Sequence, residues 1–580
     1  MTRTDIIVLG INDGHDAGAA LVRNGSVLAA IQEERLINIK HFAGIPEQSI
    51  ALVFNIANIH PSQVSLIALV SYDPPGRENL QSLGTKILLK LSPLLHSDPY
   101  LCFYRSYKKS RRNLRVLRKI LQKTGLTNKE ICLIEHQTTH ASAAYRSSPW
   151  AAAENKKKNS DTLIFTADGS GDGLSSTVNV GTSGNINRIA HSSYYDSVGN
   201  AFYTEITRFL GLKPWDHENK VMGLAPYGNP KYCIDEMRKI IAISKSNPLE
   251  FKNRIGSLGS YVQPKLRRML ANQRFDNIAA AAQLHLEELI RTWVSNAIHK
   301  TGIDKIACAG GIFLNVKVNK ILREMPETKG IFFYPAPDDE GTAVGAALQG
   351  YFEYCLREGI KPENKPIDDI YYGPCYENEE IKKKLMAHQD SNKWAYDYYE
   401  DVDGFSGELL QKGKILARCT GRLEWGPRAL GNRSIIADPR NVNVIHKINF
   451  AIKQRDFWMP FAPSILEERT DDYLIDPEYA PYMIMAFDAA ASKEARESIS
   501  AAIHPYDATC RPQSVRQEWN PSYHRVIKSF EEATGIGAIL NTSFNLHGYP
   551  MVGTPEMALW TFENSKLDAL ILGNYVITRK

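Results

Sequence analysis

His136-Gln137-Thr138-Thr139-His140 contains the only two histidines four residues apart among the fifteen in the chain. At that spacing two imidazoles share one helix face and can ligate one metal ion. The flanking Ala141-Ser142-Ala143-Ala144-Tyr145 forms helix readily. A capping or core role explains many such pairs, so a third ligand is needed to mark a metal site. The candidate is Asp339 in Pro335-Ala336-Pro337-Asp338-Asp339-Glu340-Gly341, an acidic turn after the apolar run Ile331-Phe332-Phe333-Tyr334. Strand ends that precede helices are where α/β folds place ligands. Asp338 and Glu340 flank Asp339, and spacing alone does not choose among them. Imidazole with carboxylate suits iron, zinc or manganese.

Two glycine-rich segments could cradle an anion or a flat ligand. Asp168-Gly169-Ser170-Gly171-Asp172-Gly173 is a poor interior strand, and its glycines let backbone N–H groups approach a phosphate. Gly310-Gly311 follows the strand-like Lys305-Ile306-Ala307-Cys308-Ala309 and precedes Leu314-Asn315, which would let adenosine lie against the backbone. Each is also compatible with a simple turn.

The strongest charge signal lies between Lys412 and Phe461, with ten Lys/Arg against the acids Glu424, Asp438 and Asp456. Arg422, Arg428 and Arg433 are interleaved with Gly, Pro and Leu, so they do not form a simple solvated helix face. Guanidinium forks grip phosphate or carboxylate with two bonds at once. Lys447, Lys453 and Arg455 extend the cluster, Arg511 follows, and Asn541-Thr542-Ser543 offers amides and hydroxyls after an apolar run. Too few acids are close enough in sequence to pair these cations, which favours a polyphosphate site over a salt-bridged surface.

Alternating strands and helices must position these groups. Ile6–Leu9, Ala19–Val22 and Val27–Ile31 read as strands joined by Asn12-Asp13-Gly14 and Asn24-Gly25 turns. The same punctuation returns at Thr162–Thr166, Asp168–Gly173 and Ser175–Val180, which predicts a duplicated architecture. With helical stretches such as Asn277–His299, the class is α/β. Residues 356–370 carry two prolines and much charge, so a linker is placed there, dividing the chain into domains 1–360 and 361–580. The 580 residues are 43% hydrophobic and 23% charged, ordinary globular values that exclude a disordered, collagenous or coiled-coil chain. A net charge of +5 is too small for a dedicated nucleic-acid binder. The basic stretch Arg105 to Lys123 reads as an amphipathic helix with Leu114, Leu117 and Leu121 inward. No apolar run spans a membrane, the start is unlike a secretory signal, and eight cysteines without a CxxC pair suit a reducing cytoplasm.

The motifs together resemble those of the carbamoyltransferases that decorate natural products and nodulation factors. They are Gly14-His15-Asp16-Ala17-Gly18, Glu33-Glu34-Arg35, Lys40-His41, the His136/His140 pair, Asp168-Gly169-Ser170-Gly171-Asp172, Lys220 to Gly228, Gly310-Gly311, Glu424 to Ser434, Pro460 to Pro463 and Asn541 to Asn545. The resemblance implies a duplicated N-terminal domain of the actin/sugar-kinase type and a YrdC-like α/β C-terminal domain. It implies that ATP, with Mg2+, and carbamoyl phosphate form a carbamoyl-adenylate in the C-terminal domain, on Arg428, Arg433, Lys447, Lys453, Arg455, Arg511, Asn541 and Ser543. It further implies transfer to a hydroxyl of a small molecule in the N-terminal domain, where His136, His140 and Asp339 bind a divalent metal, Fe(II) in the family. There Asp168, Gly169, Ser170, Gly171, Gly310, Gly311 and Asn315 hold the nucleotide, His15 is the general base, and Lys40 stabilises an oxyanion or phosphate. The family pattern has a small residue where Asp338 stands. A homodimer is compatible with the family. The competing expectations are tRNA-modifying carbamoyl transfer, a small-molecule kinase of the same superfamily, and a non-catalytic actin-like module.

Overall fold

The computed structural model of the chain describes residues 5–70, 123–126, 128–151, 161–387 and 393–580. The basic stretch 105–123 therefore lies outside the described residues, apart from its last residue. The chain forms two compact units. One comprises residues 1–33 and 42–367, the other residues 34–41 and 368–580. Among the described residues no helix is long and apolar enough to cross a membrane.

The first unit is built on two five-stranded sheets with the same topology. In one, β1 (Ile7–Asn12), β2 (Gly18–Arg23) and β3 (Ser26–Gln32) form an antiparallel meander, and β4 (Leu66–Val70) and β5 (Ile131–Ile134) add in parallel beyond β1. In the other, β6 (Thr162–Gly171), β7 (Leu174–Thr182) and β8 (Asn185–Ser193) repeat the meander, with β9 (Lys305–Ala309) and β10 (Gly330–Phe333) parallel beyond β6. The order is third, second, first, fourth, fifth in both sheets, the duplication that the repeated strand–acidic turn–strand pattern predicts. The central strands β1, β4 and β9 are almost wholly apolar and buried, as strands covered on both faces must be.

Helices α1 (His136–Ser147), α2 (Phe275–Thr301) and α3 (Thr342–Arg357) cover these sheets. Trp293 on α2 is fully buried and meets Phe165 of β6 edge-on at 4.9 Å. A left-handed Gly302 ends α2. Helix α3 packs against α1 so closely that a Cβ on Gly345 would fall 2.0 Å from the carbonyl oxygen of Thr139. That approach holds α1 and the turn before α3 in register.

The second unit is a three-layer α/β/α structure around an eight-stranded mixed sheet. Its strands are β11 (Trp394–Tyr398), β12 (Leu416–Cys419), β13 (Arg433–Ala437), β14 (Ala462–Leu466), β15 (Gln513–Val515), β16 (Ala538–Ser543), β17 (Ala569–Leu572) and β18 (Tyr575–Arg579), in the order β11-β18-β17-β12-β13-β16-β14-β15. Period-two alternation decides the faces. Leu416, Ile436, Ile539 and Ile571 pack with α5 (Val402–Gln411) and α6 (Pro521–Thr534), whereas Ala417, Ile435, Leu540 and Leu570 pack with α4 (Asn378–Ala387) and α7 (Pro555–Glu563). Residues 34–41 belong to this unit: the Arg35 guanidinium donates to the Gly426 carbonyl at 3.0 Å, and Gly553 lies where any Cβ would come within 1.9 Å of the Arg35 carbonyl oxygen.

Candidate functional site

Among the described residues, the first unit gathers histidines and carboxylates and the second gathers lysines and arginines. In the first unit, α1 starts directly after β5. Glu135 caps it by accepting the Thr138 N–H at 2.9 Å, and Asp172 Oδ2 accepts the His136 N–H at 2.8 Å. His136 and His140 then stand one turn apart on a buried face. Their Nε2 atoms are 3.2 Å apart. Asp339 Oδ1, on the turn before α3, lies 3.3 Å from His136 Nε2 and 3.5 Å from His140 Nε2. Asp168 Oδ2 adds a fourth donor 3.2 Å from His136 Nε2. One ligand atom from each of the four lies within 4.8 Å of the others.

The donor chemistry fits a metal ion. Two imidazole nitrogens that face each other at 3.2 Å can share at most one hydrogen between them. Asp339 Oδ1 is buried and makes no hydrogen bond of good geometry. Burial opposes charge on His136, yet Asp339 and Asp168 raise its pKa well above the ordinary value. Burial likewise opposes the Asp339 carboxylate, and His136 and His140 hold it well below the carboxylate range. These strongly coupled groups have the composition of a His/His/Asp/Asp metal site.

Asp338 does not join the imidazoles. Its carboxylate groups with those of Asp16 and Glu340, and of the two aspartates it is Asp339 that stands beside the imidazoles. Burial and neighbouring carboxylates push both Asp338 and Glu340 up. His15, on the turn after β1, holds Asp16 Oδ2 with Nδ1 at 3.0 Å. Burial opposes its charge, but Asp16, Asp339 and Asp338 raise its pKa to about 10. The expected general base thus stands on the turn after β1, engaged with Asp16.

The glycine segments stand beside the histidines. A Cβ on Gly171 would fall 2.1 Å from the His136 ring, so this glycine makes the space the imidazole fills. Gly310 has φ +104° and lies so close to Ala167 that a Cβ would come within 2.3 Å of its carbonyl oxygen. The Gly311 N–H points to Asp168 Oδ1 at 3.3 Å. Asp168, expected in an anion cradle, stands with its carboxylate beside the His136 imidazole. Gly169 and Ser170 remain on the rim, with Ser170 exposed and reached by Asn200 Nδ2 at 3.4 Å. Asn315 caps the helix Val316–Arg323 and pairs with Gln283.

The second unit gathers cations. Lys453 is buried, and its Nζ donates to Ser543 Oγ at 3.1 Å and to Asn545 Oδ1 at 2.6 Å. Burial lowers its pKa well below the ordinary value, and Arg455 and Lys40 lower it further. Arg455 donates to Thr542 Oγ1 at 2.9 Å and lies 4.9 Å over the Phe461 ring. Burial and Arg428 bring it down to about 10. Arg511 is lowered by burial, Arg428 and Arg455. Arg455 and Lys40 act on Lys453, Arg428 on Arg455, and Arg428 and Arg455 on Arg511. Lys40, which sequence reasoning assigned to the N-terminal site, belongs to this cluster.

Three expected members are elsewhere. Arg433 is fully buried, and its guanidinium donates to the carbonyls of Thr420 at 2.7 Å, Asn432 at 3.0 Å and both Gly421 and Pro374 at 3.3 Å. Its Nη1 and Nη2 are engaged by backbone carbonyls, while its Nε makes no hydrogen bond. Asn541 is also interior, donating to the Ala429 carbonyl at 3.1 Å and Ser464 Oγ at 3.0 Å. Lys447 is on the exposed face of the short helix Asn443–Ile448. Sequence reasoning missed the positioning role of Asn545 and that of Glu424, whose Oε1 accepts the N–H groups of Leu430, Asn432 and Arg433 and so shapes the Gly-Asn-Arg turn.

Family models match both halves of the chain: carbamoyltransferase N-terminus over residues 7–348 and carbamoyltransferase C-terminus over residues 407–579. The nodulation protein NolNO of Sinorhizobium fredii is 30% identical, covering 98% of this chain and 79% of that protein. NolO of Bradyrhizobium diazoefficiens is 31% identical, over 77% of this chain and 79% of the relative. An uncharacterized protein of Methanocaldococcus jannaschii is 30% identical over 99% of this chain and its own full length. Among solved structures, HypF of T. kodakarensis matches with TM-score 0.32 at 13% identity, covering 62% of this chain and 49% of HypF.

Proposed function

We propose, from the premise that this chain belongs to the carbamoyltransferase family, that it converts a hydroxyl of a small molecule into a carbamate ester by way of a carbamoyl-adenylate. Water cleaves carbamoyl phosphate to carbamate and inorganic phosphate. A carbamate oxygen then attacks the α-phosphorus of Mg2+-bound ATP, and pyrophosphate leaves. The acceptor hydroxyl attacks the carbamoyl carbon, its proton is lost, the C–O bond to AMP breaks, and AMP departs. Carbamate is a poor electrophile, and adenylation supplies the leaving group it lacks.

The observation that carries this reading is the mutual crowding of Lys453, Arg455 and Arg511 with Arg428 and Lys40, a concentration of cations that phosphate groups would suit. Arg455 and Arg511 would fork phosphate oxygens, and Lys453, fixed by Ser543 and Asn545, would add a point charge. In the first unit His136, His140, Asp168 and Asp339 would hold a divalent metal, Fe(II) by family resemblance. When bound, such an ion supplies Lewis acidity to a carbonyl or phosphoryl oxygen. His15, held by Asp16, would take the proton of the acceptor hydroxyl, and the Gly310-Gly311 backbone would receive the adenosine.

The test is to incubate the full chain with ATP, carbamoyl phosphate and Mg2+, and to separate the nucleotides. AMP and pyrophosphate, with a nucleotide heavier than AMP by one carbamoyl group, are the expected products. ADP, or ATP turnover indifferent to carbamoyl phosphate, would contradict the reading and favour a kinase.

A further inference from the structure

We propose that the first unit has a second cation site, formed by Asp16, Asp338 and Glu340 and distinct from the histidine site. Asp16 comes from the turn after β1, and Asp338 and Glu340 come from the turn before α3. Each offers a carboxylate oxygen within 4.8 Å of the other two. Asp16 is 7% exposed and Glu340 5%. Glu340 Oε1 is buried and makes no hydrogen bond, an acceptor left without a donor inside the cluster.

The oxygen-only donor set points to a hard cation there. His136 and His140 are engaged with Asp168 and Asp339. His15 meets Asp16 at 3.0 Å. The donor set also separates the two sites. Imidazole with carboxylate suits borderline metals, whereas oxygen ligands alone suit Mg2+ or Mn2+. The alternative is that the carboxyl groups share protons among themselves, in which case no second ion binds.

The experiment uses the full chain with Zn2+ loaded into the histidine site. It is titrated with Mn2+, and free Mn2+ is read from its paramagnetic resonance signal. The expected result is one tightly held Mn2+ per chain beside one Zn2+. Asp338→Asn with Glu340→Gln should weaken Mn2+ binding by roughly ten-fold or more while leaving the zinc content intact. His136→Ala should lose zinc and keep the Mn2+. No retained Mn2+ at millimolar concentration, unchanged Mn2+ affinity in the folded double variant, or loss of Mn2+ together with zinc in His136→Ala would each overturn the proposal. Where the double variant does not fold, Glu340→Gln alone decides on the same readout. None of these outcomes depends on the acceptor or on adenylate formation, so the proposed reaction stands or falls separately.

Discussion

The histidine–carboxylate site of the first unit and the lysine–arginine cluster of the second solve opposite problems by different means. In the first, short side chains are carried by rigid elements: His136 and His140 by α1, Asp168 by β6, and Asp339 by the turn ahead of α3. Their donor atoms converge because the backbone brings them together, with Gly171 and Gly345 removing the side chains that would prevent it. In the second, long side chains arrive from irregular segments, and neutral groups such as Ser543, Asn545 and Thr542 hold them in place. In the first, imidazoles and carboxylates favour one another's charge, whereas in the second, cations act on cations at a cost that grows with burial. The contrast teaches that the first cluster offers donors to a cation and the second offers donors to an anion.

That contrast can be broken most forcefully at Lys453. Lys453→Ala should reduce carbamoyl-phosphate-dependent ATP–pyrophosphate exchange by about 10²–10³-fold, the range for removing one preorganised donor to a developing anion. Metal content by mass spectrometry should not change. A variant that lost its metal along with exchange would erase the division of labour.

Arg433 sharpens the distinction between a cation that binds and one that builds. Arg433→Ala removes donors from the carbonyls of Thr420, Gly421, Asn432 and Pro374. It should cost about 3 kcal/mol of stability, seen as a lower midpoint in urea, with exchange falling only as far as the folded fraction falls. Loss of exchange at full stability would return Arg433 to the phosphate site.

A smaller effect is expected at Gly171. A methyl group there must displace the His136 ring, so Gly171→Ala should weaken metal binding by about 10–100-fold, as changes that reorient a ligand do. Exchange should be untouched. The smallest effect is at Lys447, on the exposed face of its helix. Lys447→Ala should leave exchange within about two-fold of the parent, in keeping with its solvent exposure.

These contrasts also show what a linear reading can reach. The α/β class and the duplicated meander were legible because β-branched runs and Asn-Asp-Gly or Gly-rich turns recur in the same order. The His136/His140 pair was legible because helical periodicity is local. Asp339 was picked out of three adjacent acids by family resemblance, and only the turn geometry shows which carboxylate meets the imidazoles. Asp168 reads as an anion-loop residue because it is flanked by glycine, and its position 3.2 Å from an imidazole is visible only in the fold. Arg433 and Asn541 are interior residues that donate to buried carbonyls, which composition does not show. The placement of Lys40 could not be read at all. It follows from Arg35 and Gly553, contacts between residues far apart in the chain.

The central claim is that adenylate formation and metal-dependent transfer belong to separate sites, and His136→Ala tests it most directly. The folded variant, stripped of metal, should catalyse carbamoyl-phosphate-dependent ATP–pyrophosphate exchange at the parent rate while forming no carbamate ester. Exchange abolished together with metal binding, in a variant with an unchanged unfolding midpoint, would contradict it.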